Sequence, residues 1–240
     1  MTYKPQEFWE QRLSQHFDLR GTGETGLSLD YNRACYALRR ETLDRALREL
    51  SFDPRGKNVL DVGPGSGFWV EYYLGRGARI TGVDIAPTAV KRLAEKYPAA
   101  RFMHSDVSEV ALIEKYDVVN AFDVLYHITD HAKWEVAVRH LAEAVTPGGL
   151  LLITDMFSAL PRGAEHNVMR PLSAYETITK AAGLERVWLQ PTHVLLNSEL
   201  GAFRFLNRAP GLLLLLDRMM LAAGAGNDDR HNRLSIARRT

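Results

Sequence analysis

The 240 residues are 46% hydrophobic and 25% charged, enough apolar side chain for one sizeable core, so 1–240 reads as a single globular domain. A formal net charge of +1 excludes any general electrostatic pull toward nucleic acid or an anionic membrane, leaving only local basic patches. The lone cysteine, Cys35, excludes an intrachain disulfide and suits a reducing cytosol, where it reads as a small buried apolar side chain.

Residues 1–10 lack an apolar core, so no secretory signal is expected and the protein is placed in the cytoplasm. Phe8, Trp9, Leu13 and Phe17 fall near helical spacing. Gly21, Gly23 and Gly26 then break the pattern, and residues 31–50 alternate apolar and Arg/Glu faces as an amphipathic helix does. Residues 1–50 are therefore expected to form a helical cap.

From 51 to 155 strand and helix alternate, the signature of a parallel sheet with right-handed crossovers. Strands are predicted near 58–63, 79–84, 100–105, 116–123 and 149–155, and helices near 67–76, 87–96 and 131–145. Pro87 suits a first helical turn, and Asp130 suits an N-cap. Pro147-Gly148-Gly149 reads as a stop and turn before the last of these strands. Beyond it, 172–182 is predicted helical up to Gly183, with strands at 184–189 and 234–238. The apolar run 212–216, interrupted by Asp217 and Arg218, is too short to span a bilayer. It reads as a buried helix, an interface or at most a surface contact, so no stable membrane insertion is expected.

The first strand opens into Gly63-Pro64-Gly65-Ser66-Gly67 and then into Phe68-Trp69-Val70. Glycines there allow positive φ or a close approach of backbone to a ligand, and the following helix turns free N–H groups toward it. The pattern is not the dinucleotide G-x-G-x-x-G, because the third glycine comes one position early and Phe68 stands where glycine is required. Nor does Lys-Ser/Thr follow, as a phosphate loop demands. Asp61, two residues before the first glycine, would repel a pyrophosphate and suit an ammonium. The loop is thus read as built for a ligand with a cationic amine and no phosphate.

These residues resemble the class I S-adenosylmethionine-dependent methyltransferases. Asp61 to Gly67 matches the acid-x-G-x-G-x-G motif. Gly82-Val83-Asp84-Ile85, Ser105-Asp106-Val107, Tyr116-Asp117-Val118-Val119 and Pro147-Gly148-Gly149 follow in order at successive strand ends. The likeness covers about 57–155 well and the flanks weakly. It implies an α/β fold with a Rossmann-like seven-stranded, mostly parallel sheet, an antiparallel terminal hairpin and helices on both faces. The N-terminal cap (1–50) precedes a cofactor-binding core (51–155) and a substrate-side half (156–240), in which 156–171 and a largely helical insertion at about 193–230 build a lid.

The cofactor implied is S-adenosyl-L-methionine, leaving as S-adenosyl-L-homocysteine, and the resemblance distributes the motifs over it. Asp61 lies near the methionine ammonium. The loop residues Gly63, Pro64, Gly65 and Gly67 bind the cofactor, with the Gly63 and Gly65 backbone bordering the methionine moiety, which Phe122 and Asp123 flank from the fourth strand. Asp84 accepts from both ribose hydroxyls, a role its distance of roughly 20 residues from the loop also favours. Ile85 packs on adenine, and Asp106 accepts from the adenine amino group beside Ser105 and Val107. Tyr31 and Arg33 are candidates for the methionine carboxylate or the acceptor.

Methyl transfer from a sulfonium is a displacement at carbon, so the protein mainly holds donor and acceptor in line. A base is needed only where the acceptor must lose a proton. His127, after the fourth strand, is the candidate, with Tyr126, His166, Arg170 and Tyr175 as pocket residues and His193 packing under the lid. Asp123, Asp130 and Asp155 are scattered acids rather than a metal set, so no metal is expected. The segment Asn120-Ala121-Phe122-Asp123 lacks the Asn/Asp-Pro-Pro-aromatic motif of enzymes that methylate exocyclic base amines, which argues against nucleic acid. The expectation is methyl transfer to a small molecule, foremost to a hydroxyl or carboxyl oxygen, by a monomer or homodimer. The alternatives are N- or C-methylation of a small metabolite or lipid-linked acceptor, and a non-catalytic binder.

Overall fold

The computed structural model describes residues 3–109, 112–160, 165–198 and 200–240. Three helices lead: α1 (Pro5–Gln15), the short α2 (Leu19–Thr22) and α3 (Leu29–Glu49). The core then runs β1 (Asn58–Val62), α4 (Phe68–Leu74), β2 (Arg79–Asp84), α5 (Pro87–Lys96), β3 (Arg101–His104), β4 (Tyr116–Phe122), a 3-10 turn (Leu125–His127), α6 (His131–Glu143) and β5 (Val145–Asp155). The remainder is α7 (Leu172–Ala181), β6 (Leu184–Pro191), a 3-10 stretch (Gly201–Arg208), α8 (Pro210–Ala222) and β7 (Arg233–Arg239).

The seven strands order as β3-β2-β1-β4-β5-β7-β6. The first five are parallel, and β7 inserts antiparallel between β5 and β6. This is the Rossmann-like sheet with a terminal antiparallel hairpin. Chain order reverses between β1 and β4, so the carboxyl ends of these strands diverge around a crevice.

Alternation along the central strands sends side chains to two cores. Leu60, Val62, Val119, Ala121, Leu151 and Ile153 pack against Trp134, Val138 and Leu141 of α6 and Tyr175 of α7. Val59, Val118, Leu150 and Leu152 face Leu43 and Leu47 of α3, Trp69, Val70 and Tyr73 of α4, and Leu93 of α5.

Two departures from the sequence reading have clear physical causes. The Pro147-Gly148-Gly149 turn does not delay β5, which begins at Val145. Tyr116 pairs with Val145, the register then shifts, and pairing resumes at Val118 with Leu150, so the turn is absorbed as a bulge. Gly148 at φ +75 takes the left-handed backbone this requires. Among the described residues of the insertion, helix is confined to 210–222 and the 3-10 stretch before it. Residues 194–196 instead present backbone N–H groups to the Asp217 carboxylate.

Candidate functional site

The crevice at the carboxyl ends of β1, β2 and β4 is a cavity of about 760 Å³, within the range of a small-molecule site. Its floor is the glycine loop, and its roof is the amino-terminal segment with Trp9 and Leu13 of α1. Gly63 (φ +66) and Gly65 (φ +52) occupy left-handed backbone. A Cβ on Gly63 would lie 2.5 Å from Val124 Cγ2, and one on Gly65 2.3 Å from Thr22 Cγ2. Neither position admits a side chain, and both glycines line the cavity together with Pro64. Gly67 (φ +91) caps α4 and faces Leu93, so it shapes the turn without lining the cavity.

Asp84 ends β2 and ties the loop down. Its Oδ2 accepts from Gly65 N–H at 3.0 Å and its Oδ1 from Ala86 N–H at 2.8 Å. Each oxygen keeps acceptor capacity beyond that bond. Burial, partly opposed by the N–H donors of Ala86 and Gly65, pushes its carboxyl up to about 6. Asp61 lies one layer behind the lining. Asn120 Nδ2 donates to its Oδ1 at 2.6 Å, while Oδ2 is buried with no hydrogen-bond partner among the described residues. Burial pushes this carboxyl up to about 7. An orphaned buried carboxylate oxygen is an expensive thing to leave unanswered, and a cationic amine nearby answers it.

Ile85, Ser105, Asp106 and Val107 line the far end of the cavity. Asp106 Oδ1 accepts from both the N–H and the hydroxyl of Ser108, an Asx turn that holds the carboxylate in place. Phe122 and Asp123 line the near end. Asp123 sits at φ +58, uncommon outside glycine but tolerated by aspartate. Three side chains hold it there through four contacts: Thr154 Oγ1 bonds both its N–H and its Oδ1, Asn232 Nδ2 donates to Oδ1, and Arg39 Nη1 pairs with Oδ2 at 2.9 Å.

His127 lines the cavity with its ring against Trp9, centroids 4.8 Å apart, and parallel to His166 at 5.5 Å. Its Nδ1 is 3.1 Å from the His166 carbonyl. A carbonyl only accepts, so Nδ1 carries the proton and Nε2 keeps the lone pair. Burial pushes the imidazole down to about 4, so the ring is neutral at pH 7.

Six other candidates sit elsewhere, and each placement has a physical reason. Tyr31 is fully buried, its hydroxyl accepting from Ser198 N–H at 2.8 Å, so it clamps the insertion onto α3. Arg33 points to solvent and pairs with Asp30 at 2.8 Å. Tyr126 packs on His127, centroids 4.3 Å apart, without lining the cavity. The ring of His166 stacks on Phe8 at 4.7 Å and acts as a strut. Arg170 is buried over Trp134 and donates to the carbonyls of Val168 and Ile128. Tyr175 donates to the buried Asp155 carboxylate. Sequence reasoning did not single out Thr22, Tyr36 and Trp9 as cavity residues. The helical spacing of Trp9 marked it as apolar, but nothing in that spacing says what it covers.

A family model described as "Methyltransferase domain" matches residues 36–195. The ubiquinone biosynthesis O-methyltransferase of Stutzerimonas stutzeri (strain A1501) is 34% identical over 107 residues, covering 42% of this chain and 45% of that protein. The tRNA U34 carboxymethyltransferase of Shewanella halifaxensis (strain HAW-EB4) is 30% identical over 146 residues, 57% of this chain and 40% of that protein. The chain thus spans less than half the length of these curated relatives. Magnesium protoporphyrin IX methyltransferase from Synechocystis PCC 6803, solved with bound SAH, shares the fold at a TM-score of 0.64 with 18% identity, covering 98% of each chain.

Proposed function

We propose, because the chain belongs to the methyltransferase-domain family, that it transfers a methyl group from S-adenosylmethionine to the oxygen of a small molecule. The observation that carries the reading is the pairing of two acids with one loop. Asp84, its two oxygens already aligned by Gly65 and Ala86, faces into the cavity, and Asp61 keeps an unanswered oxygen behind it. The first suits a vicinal diol and the second a cationic amine, and S-adenosylmethionine carries both, in its ribose and in its amino-acid moiety.

When bound, S-adenosylmethionine supplies a methyl on a sulfonium, and S-adenosylhomocysteine leaves. The chain's own residues do the rest. Gly63, Pro64 and Gly65 give backbone approach, and Ile85 with Asp106 receives the base. Trp9 and Leu13 roof the site and exclude water. Holding two reactants in line supplies on the order of 7–11 kcal/mol in favourable cases. A hydroxyl acceptor taking that methyl would have to release its proton. His127, neutral and with Nε2 unprotonated, takes that proton.

Calorimetry with S-adenosylhomocysteine tests the reading. The product should bind, and Asp84→Ala should weaken it roughly 10- to 100-fold, the loss of one or two charge-assisted hydrogen bonds. If neither S-adenosylmethionine nor its product binds the intact chain at high micromolar concentration, the proposal is wrong.

A further inference from the structure

We propose that the outer face of α8, with the 3-10 stretch before it, docks on an anionic lipid surface. This is independent of the reaction. The apolar residues of α8 run onto both its inner and its outer face, and apolar partners cover only the inner one. Its inner face is seated on α3, with Leu213 fully buried among Tyr31, Cys35 and Leu38. Asp217, also fully buried, accepts from the N–H groups of Val194, Leu195 and Leu196 at 2.7–2.8 Å, which locks the helix in place. The opposite face carries Leu212, Leu215 and Met219, spaced three and four apart and 47%, 54% and 61% exposed. Just before it, Phe203 and Phe205 are 63% and 61% exposed, their rings 6.4 Å apart. Five of the eight large apolar side chains left exposed among the described residues therefore fall within 203–219.

The charge beside this face selects the partner. From 200 to 219 the charged residues are Arg204, Arg208, the buried Asp217 and Arg218, which pairs with Glu41 at 2.6 Å. Arg204 and Arg208 are exposed, and neither has an ion pair among the described residues. A short amphipathic platform of aromatic and aliphatic side chains flanked by arginines is the composition that lies in the plane of an anionic interface. A second copy fits less well, since a two-fold contact would offer the arginines only the same face, whose one acid between 200 and 219, Asp217, is buried. No described helix is long and apolar enough to cross a membrane.

Flotation of the full chain with phosphatidylcholine vesicles, with and without phosphatidylglycerol, decides. Binding is expected only to the phosphatidylglycerol vesicles and should weaken with added salt. Arg204→Gln with Arg208→Gln should reduce partitioning on the order of 30-fold, and Phe203→Ser with Phe205→Ser should abolish it. All four side chains are exposed, so these variants should keep the wild-type melting temperature and S-adenosylhomocysteine affinity. The proposal is overturned by absent or equal flotation on the two vesicle types, or by variants that float like wild type. It is overturned equally by a solution dimer that Leu215→Arg splits.

Discussion

Asp84 must do two things that pull against each other. It is buried at the end of a strand, which disfavours its charge, and it faces a cavity where only the charged form offers both oxygens as acceptors. Burial holds the carboxyl up to about 6 in the free protein, and Asp61 behind it up to about 7. Both lie above the ordinary value of 3.8, so the free fold binds more protons than the unfolded chain between these limits. Its stability from these two groups is therefore full below about pH 4 and lost as pH rises through 6 to 7. A ribose diol and a cationic amine favour the ionised carboxylates, so ligand binding must release protons in the same window. S-adenosylhomocysteine should bind more tightly at pH 7 than at pH 5, levelling off above 7. Its stabilisation of the melting temperature should grow over the same range. Asp84→Asn, measured by the same calorimetry, should remove part of the slope and leave the share of Asp61, whose carboxyl is held higher; a slope that survives unchanged would exclude Asp84 as a source.

At the scale of elements, the roof of the site depends on one unusual cap. The helix α5 begins after Ala86, which offers no side-chain acceptor to the exposed N–H groups of its first turn. Glu10 of α1 supplies it from outside, accepting from Thr88 N–H at 2.9 Å and from the Thr88 hydroxyl at 2.6 Å. Leu13 of α1 packs beside it against Ala86 and Ala89. The same bond caps α5 and closes α1 over the cavity. Glu10→Ala should cost about 1 kcal/mol, the usual worth of an N-cap, and most of it should appear as opening of α1. Hydrogen exchange over 5–15 should accelerate and S-adenosylhomocysteine should dissociate faster, with the melting temperature nearly unchanged. This cap was not legible in the sequence, because nothing local links Glu10 to Thr88. Elements built from local signals were legible: the alternation of apolar runs with turn residues placed the five parallel strands, and the acid-glycine spacing placed the loop. The aromatic and arginine candidates were not, since Tyr31, Arg170 and Tyr175 each have a partner distant in sequence that only tertiary packing chooses.

Over the whole molecule, the N-terminal helices are unequal partners of the core. The 21-residue α3 buries ten side chains, among them Leu38, Leu43 and Leu47. Burying those three leucines contributes roughly 5–9 kcal/mol, as large as the whole net stability of many domains. It also joins the two ends of the chain. Glu49 accepts from the Trp188 indole at 2.7 Å, and the Leu50 carbonyl from Arg238 at 3.2 Å. Arg218 pairs with Glu41 at 2.6 Å, and Arg39 with Asp123 at 2.9 Å. By contrast, α1 and α2 bury little beyond Leu13 and Gly21. A sequence boundary near residue 50 separates cap from core by composition, but the packing places the energetic boundary before α3. A chain shortened to begin at Ser28 should therefore unfold in one cooperative transition, while binding S-adenosylhomocysteine far more weakly for want of its roof. A chain beginning at Ser51 should not fold, because one apolar face of the sheet would lie open to water. Circular dichroism melts of the two shortened chains separate these outcomes, and a cooperative melt from the Ser51 chain would show that the core folds without α3.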